Sequence, residues 1–294
     1  MAAEDHRKRL KNLLVSEQVV VAPGIYDGVS AWLAQKAGFD VAFLSGSAVA
    51  FSQLASPDIG LVTLTELAST LAQIRERVGL SIIADADSGF GNALNVQRTV
   101  RTLERAGASG IQIEDQLNTK KVKDVQNRPL VAASEMVGKI RAAQDAKRDA
   151  DMVISARTDA FFSLGLQESL DRAESYLEAG ADMLFVEGLR SKEDLEALSV
   201  RFKGRIPLLY NMLAQGQTPL LGPDDLAKMG ISIILYPATA IESAANASFN
   251  ALVELKAATV NGASPPVQST HVSMAELLDA SAYIRAGARY ESKD

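Results

Sequence analysis

LSIIADADSGFGNALNVQRTVRTLERAGASGIQIE, residues 80–114, contains one complete strand–helix–strand unit. Its first part, Leu80 to Asp85, is a short apolar run of the kind that forms a strand buried on both faces. An amphipathic stretch from Val96 to Ala106 follows, and a second apolar run, Gly110 to Glu114, closes the unit. Parallel strands require a crossover of this sort. Outward from this unit the same pattern recurs. Strands are expected at Val19 to Ala22, Val41 to Ser45, Met152 to Arg157, Met183 to Glu187, Pro207 to Tyr210 and Ile231 to Tyr236. Helices are expected at Val29 to Ala37, Thr65 to Val78, Ala133 to Ala146, Leu166 to Ala179, Lys192 to Arg201, Pro223 to Lys228 and Ala240 to Thr259. Eight β/α alternations in one chain predict a closed (β/α)8 TIM barrel rather than an open sheet.

The helix ends share a rhythm. Gln35-Lys-Ala-Gly-Phe, Glu104-Arg-Ala-Gly-Ala, Leu177-Glu-Ala-Gly-Ala and Ala227-Lys-Met-Gly-Ile each finish a helix on Gly before an apolar run. Glycine is the usual residue just past a helix C-terminus, so the repetition is architecture and not a binding motif. Two segments break the pattern. Gln116 to Val131 is long, polar and basic, with the length of an active-site lid. From Asn261, a Pro265-Pro266 hinge leads to a helical stretch, Met274 to Ala286. The expected division is a catalytic barrel over 1–260 and a C-terminal helical tail over 261–294.

Bulk properties narrow the classes. The 294 residues are 47% hydrophobic, and one barrel of about 250 residues accommodates most of them. A net charge of -6 with scattered basic residues argues against nucleic acid. The absence of cysteine excludes disulfides, zinc thiolates and a thiol nucleophile or acid. Met1 to Leu14 is polar and helical in pattern, unlike a signal peptide. No uncharged apolar run approaches the roughly 20 residues that span a bilayer. The expectation is a cytoplasmic protein with no membrane partner.

In such barrels the reactive groups sit at the C-terminal ends of the strands. Those ends carry Tyr26 and Asp27, Ser45-Gly46-Ser47 followed by Asp58, Asp85 and Asp87, Glu114 and Asp115, Arg157 and Asp159, Glu187, Asn211, and Tyr236. In an extended segment, residues two apart face the same side, so Asp85 and Asp87 can converge. They read either as hard oxygen ligands for Mg2+ or Mn2+ or as a turn start and a cap. Taken singly, each strand-end residue is more often a cap or loop residue than a catalyst. Together, acidic groups and one Arg describe an acidic, metal-binding pocket with a fixed cation. An EF-hand, a P-loop, a Gly-x-Gly-x-x-Gly turn and a Ser/His triad are each unsupported by the sequence.

These residues resemble the isocitrate lyase/phosphoenolpyruvate mutase superfamily, most closely its 2-methylisocitrate lyase-like branch. The matching stretches are Phe43-Leu-Ser-Gly-Ser, Ser56-Pro-Asp-Ile-Gly, Ala84-Asp-Ala-Asp-Ser-Gly-Phe-Gly-Asn, Ile113-Glu-Asp-Gln, Ala156-Arg-Thr-Asp-Ala, Val186-Glu-Gly and Leu235-Tyr-Pro. The resemblance implies Mg2+ held by Asp85 and Asp87, directly or through water, with Asp58 and Glu114 in its outer sphere. It implies a small carboxylate substrate whose carboxylate meets the amides of Ser45, Gly46 and Ser47 and the Arg157 guanidinium. Glu187 and Asn211 would hold or deprotonate its far end. The resemblance also implies a homotetramer in which the last barrel helix is exchanged between neighbours; the apolar stretch from Ala240 to Val260 suits an exchanged helix.

Within this resemblance the chain departs at reactive positions, the lid first. Lyases of the family carry Lys-Lys/Arg-Cys-Gly-His in the lid, and its Cys protonates the leaving carbanion. Here the stretch is Lys120-Lys121-Val122-Lys123-Asp124, and valine cannot donate a proton. A further family Glu falls at Ala214. Loss of a positioned general acid costs about 10²–10⁴-fold. Decarboxylation of oxaloacetate survives that loss, since solvent or Tyr26 can protonate the pyruvate enolate. Family members that do this tend to carry a His near the end of strand eight, where this chain has Tyr236-Pro237-Ala238. The other readings are 2-methylisocitrate-type cleavage with Lys121, Lys123 or Asp124 as lid acid or base, phosphonopyruvate-type P–C chemistry, and a non-catalytic 2-oxo acid binder. Glu187 argues against the phosphonate reading.

Overall fold

In the computed structural model, residues 6–16, 18–117, 128–212, 219–260 and 273–290 are described. Among them, eight parallel strands close into a barrel in sequence order, with β8 paired to β1. The order is α1 (His6–Leu14), β1 (Val20–Ile25), α2 (Gly28–Lys36), β2 (Val41–Leu44) and α3 (Gly46–Val49) running into a π-turn (Ala50–Leu54). Then come α4 (Leu64–Arg75), β3 (Ser81–Asp85), α5 (Ala93–Ala106), β4 (Gly110–Glu114), α6 (Ala133–Ala146) and β5 (Val153–Thr158). The remainder is α7 (Phe161–Glu178), β6 (Met183–Val186), α8 (Lys192–Phe202), β7 (Leu208–Asn211), α9 (Pro223–Lys228), β8 (Ile231–Tyr236), α10 (Thr239–Val260), α11 (Met274–Leu277) and α12 (Ala280–Gly287).

The two-residue period of each strand splits the core in two. One set of alternate residues, among them Leu44, Ile82, Ala84, Ile111, Ile154 and Val186, packs outward under the helices. The other set fills the barrel with Ala22, Val41, Phe43, Ile83, Val153, Met183, Phe185, Leu209, Ile233 and Leu235. Leu10 and Leu14 of α1 join this inner cluster. Further along the same inward rows come Ser45, Asp85, Arg157, Glu187 and Asn211. The alternation that builds the core therefore delivers the polar groups to the barrel's C-terminal mouth.

The four helix-end glycines Gly38, Gly107, Gly180 and Gly230 all have φ between 85° and 99°, as the repeated motif requires. Other expectations need correction. The first strand does not stop at Ala22 but runs through Pro23 and Gly24 to Ile25. Pro and Gly read as breakers; here a Cβ on Gly24 would lie 2.0 Å from the Pro237 carbonyl oxygen, so glycine permits the close approach of the segment after β8. The expected helix from Met274 to Ala286 is two helices, broken at Asp279 with φ 54°. Helix α7 joins two helices across the non-helical Gly165, so the longer one starts at Leu166 as expected and a short turn from Phe161 precedes it. The Ser45-Gly46-Ser47 turn is the start of α3.

The chain divides into two compact units, one up to Glu242 and one from Ser243 onward. The first holds the barrel. The second holds most of α10 together with α11 and α12, and α10 buries no residue. No helix among the described residues is long and apolar enough to cross a membrane.

Candidate active site

Arg157 is the centre of the mouth. From the end of β5 it forms a two-pronged pair with Asp159, Nε to Oδ2 at 3.0 Å and Nη2 to Oδ1 at 2.9 Å. Its Nε also lies 3.4 Å from Glu114 Oε2, and its Nη2 3.6 Å from Glu187 Oε2. The guanidinium lies 5.1 Å from the centroid of the Phe185 ring one layer below. Burial acts to lower its pKa, but Asp159, Glu114 and Glu187 outweigh this and hold the group charged, well above its ordinary value. Asp159 shows the converse: burial pushes its carboxyl up, while Arg157 and Arg128 pull it below the usual range. Asn211 Nδ2 donates to Glu187 Oε2 at 3.3 Å, and its Oδ1 is buried with no partner among the described residues.

Asp85 ends β3, two strands from β5, and Asp87 lies in the turn that follows it. Here the extended-chain expectation fails. Strand β3 ends at Asp85, and Asp87 has a left-handed φ of 46°. A non-glycine residue held in that region marks local strain of the kind that gathers at functional sites. The turn folds back so that the Asp87 amide donates to Asp85 Oδ1 at 3.2 Å. The Asp87 carbonyl accepts from the Glu114 amide at 2.8 Å, which ties this turn to the Arg157 cluster. Behind it, the buried Lys139 ammonium donates to the Ser88 carbonyl at 3.2 Å. Asp87 and Glu114 line one cavity of about 420 Å³ with Thr63, Asn95, Arg98 and Leu117.

Across from Asp85 lies Gly46. A Cβ there would lie 3.3 Å from Asp85 Oδ2, so glycine permits the close approach of α3 to this carboxylate. The Gly46 and Ser47 amides belong to the first turn of α3, where N–H groups have no acceptor within the helix. The Ser45 amide is different. It donates to the Ile25 carbonyl at 3.1 Å, which removes it from the three amides expected to receive a carboxylate. The Ser45 hydroxyl caps α3 through the Ala48 amide and meets Ser47 Oγ at 3.0 Å.

Among the described residues no three His, Cys, Asp or Glu side chains come together to hold a metal by themselves. Mg2+ does not ask for that, because it usually keeps several waters and takes one or two carboxylates. Asp85 and Asp87, two hard oxygen donors tied into one turn, fit such a water-rich site.

Tyr26 is nearly buried beyond β1, and burial, then the neighbouring Asp27 charge, raises its phenol above the ordinary value. Asp58 is exposed on the loop before α4 and is not among the residues lining the cavity. Lys121, Val122, Lys123, Asp124 and Ala214 lie outside the described residues.

The sequence reading put Asp115 at a strand end but missed Arg172, Tyr176 and Arg128, which hold the site in place with it. Asp115, buried just past β4, accepts from the Thr158 and Tyr176 hydroxyls at 2.7 Å each, from Arg172 Nη1 at 3.1 Å and from the Asp159 amide at 3.0 Å. Arg172 and Tyr176 sit mid-helix in α7, where nothing in their spacing distinguishes them from ordinary surface residues. Arg128, which pairs with Asp159, was hidden in a polar run.

Comparison with known proteins agrees with this fold. The family model for phosphoenolpyruvate phosphomutase matches residues 10–256. A 2-methylisocitrate lyase of Aeropyrum pernix is 45% identical over 84% of this chain and 78% of its own. A solved structure of oxaloacetate acetylhydrolase with 3,3-difluorooxalacetate superposes with a TM-score of 0.88 at 31% identity, covering 98% of each chain. A phosphonopyruvate hydrolase in complex with oxalate and Mg2+ gives 0.85 at 31% identity, over 98% of this chain and 99% of the other. The chain belongs to the phosphoenolpyruvate phosphomutase family of the isocitrate lyase/PEP mutase superfamily and is an enzyme, a lyase of that superfamily.

Proposed function

We propose that this protein is a Mg2+-dependent carbon–carbon lyase acting on a small 2-oxo or 2-hydroxy di- or tricarboxylate, and that its reaction is oxaloacetate decarboxylation. The observation that carries the class is Arg157, held charged at the barrel mouth beside the Asp85–Asp87 turn. Bound there, Mg2+ (or Mn2+) would polarise the 2-oxo group and stabilise developing enolate charge. Arg157 and the Gly46 and Ser47 amides would receive the substrate's C1 carboxylate. The C3–C4 bond breaks, its electron pair becomes that of the pyruvate enolate, and CO2 departs. C3 then takes a proton from the Tyr26 hydroxyl, which its raised pKa keeps protonated, or from solvent. Glu114 and Glu187 orient Arg157 from two sides.

The choice of decarboxylation rests on Val122, which cannot replace a cysteine acid. A second reading has support from the 45%-identical relative: cleavage of 2-methylisocitrate, with Lys121 or Asp124 as the acid. Pyruvate release in Mg2+ from each of the two substrates separates the readings, with Asp87→Ala as the blank. Turnover of oxaloacetate alone, lost in the variant, is expected. Turnover of 2-methylisocitrate would replace the first reading by the second, and turnover of neither would overturn both. We also propose a homotetramer, supported by the unburied apolar residues of α10.

A further inference from the structure

The Arg157 cluster is unbalanced in charge. Asp159, Glu114 and Glu187 oppose one guanidinium, which leaves two net negative charges where an anion must bind. Arg128 corrects this in part. Its Nη1 reaches the same Asp159 Oδ1 that Arg157 Nη2 uses, and its side chain is only 20% exposed. Its guanidinium lies 4.1 Å from the Phe162 ring centroid, a cation–π seat on the first turn of α7.

Its backbone is fixed as well. Gln116 and Leu130 form an antiparallel bridge, and the Leu117 amide donates to the Pro129 carbonyl at 2.8 Å. The Val131 amide donates to the Asp115 carbonyl at 2.9 Å, and Arg172 Nη1 donates to the Val131 carbonyl at 3.0 Å. Arg128 is thus delivered to a buried carboxylate by a braced segment.

We propose that Arg128 is a positioning residue: by sharing Asp159 with Arg157 it fixes the Arg157 guanidinium and removes one negative charge from the cluster, so that Arg157 can receive the carboxylate of an anionic substrate. This rests on the reading of Arg157 as the carboxylate receptor. Without Arg128, Asp159 belongs to Arg157 alone, and a substrate anion meets one more net negative charge. With Arg128 and the Asp159 charge both removed, the net charge returns to its starting value.

Oxalate binding in Mg2+, measured by calorimetry, is the test. Arg128→Gln is expected to weaken binding by about 10- to 50-fold, the effect of one unit charge at about 7 Å in a partly desolvated site. Arg128→Lys keeps the charge and stays within about 5-fold of the wild type. The double variant Arg128→Gln/Asp159→Asn recovers at least half of the loss on a logarithmic scale. With oxaloacetate, Arg128→Gln raises KM more than it lowers kcat. A merely structural role predicts that Lys and Gln are equally impaired and that the double variant is worse than either single one; that result overturns the proposal. So does unchanged oxalate binding in Arg128→Gln. If Arg128→Gln fails to fold, the Lys variant and the double variant decide by the same criteria. A wild-type protein that binds no oxalate in Mg2+ instead overturns the reading of Arg157, and this inference falls with it.

Discussion

At the scale of single residues, the site is decided by a few atoms. Gly46 is one such position. Replacing it by Ala places a methyl 3.3 Å from Asp85 Oδ2, tighter than an ordinary contact, so the carboxylate must give way. We expect Gly46→Ala to weaken Mg2+ binding and to lower kcat/KM by about 10-fold or more while Tm moves by only a few degrees. Unchanged Mg2+ affinity by calorimetry would show that this close approach does not bear on the metal. Asp159 gives a pH prediction. Its folded-state pKa is depressed, so the folded chain holds on to that proton less tightly than the unfolded chain does. Its contribution is therefore full above the ordinary carboxylate pKa of about 4 and is lost as the pH falls through the lower, folded value. Thermal unfolding between about pH 6 and 3 should show Tm falling more steeply for the wild type than for Asp159→Asn. The sequence revealed Asp85, Glu114, Arg157, Glu187 and Asn211 because strand ends in a barrel are predictable places. It misjudged the path of the chain at Asp87, because a left-handed turn leaves no trace in a two-residue alternation.

At the scale of elements, the barrel mouth is braced by Asp115. One carboxylate joins the end of β4 to the end of β5 and to α7. Burial raises its pKa even though Asp159's amide and the Tyr176 and Thr158 hydroxyls act in the opposite sense. Arg172 is its cationic partner at 3.1 Å, with only 9% of the side chain exposed. Arg172→Met leaves that carboxylate without its countercharge and should cost about 3–5 kcal/mol. Chemical denaturation measures this, and a cost below about 1 kcal/mol would show that the hydroxyls suffice. The bracing was illegible beforehand for a physical reason. It joins residues 115, 158 and 172, whose meeting depends on the closed barrel and not on any local pattern. The strands themselves were legible to within a few residues, because apolar runs bounded by glycine-capped helices admit few alternatives. Gly24 shows where that logic ends, since a glycine demanded by a distant carbonyl reads locally as a stop.

At the scale of the whole molecule, the chain is a barrel whose inner packing and reactive groups come from the same inward rows of residues. Helix α10 stands out, with 22 residues and none buried. Phe249, Leu252 and Val253 are exposed at helical spacing. Such a stripe belongs against another protein surface, and a second copy of this chain is the partner we propose. Leu252→Glu should lower the mass measured by light scattering while the barrel's circular dichroism is kept. A wild-type monomer would contradict the assembly. The family could be recognised from the sequence because Asp-Ala-Asp-Ser-Gly-Phe-Gly-Asn is a long and specific match. The substrate could not, because Val122 stands where the resemblance implies a cysteine acid, and the lid segment that carries it lies outside the described residues.

The central claim is that this site forms a Mg2+-stabilised pyruvate enolate. The most direct measurement is proton NMR of pyruvate in D2O with the enzyme and Mg2+, following the methyl signal. The account predicts that deuterium enters the methyl group faster than in buffer with Mg2+ alone, and that Asp87→Ala or removal of Mg2+ with a chelator abolishes the acceleration. Exchange no faster than in buffer, from a folded protein that binds oxalate, would contradict it.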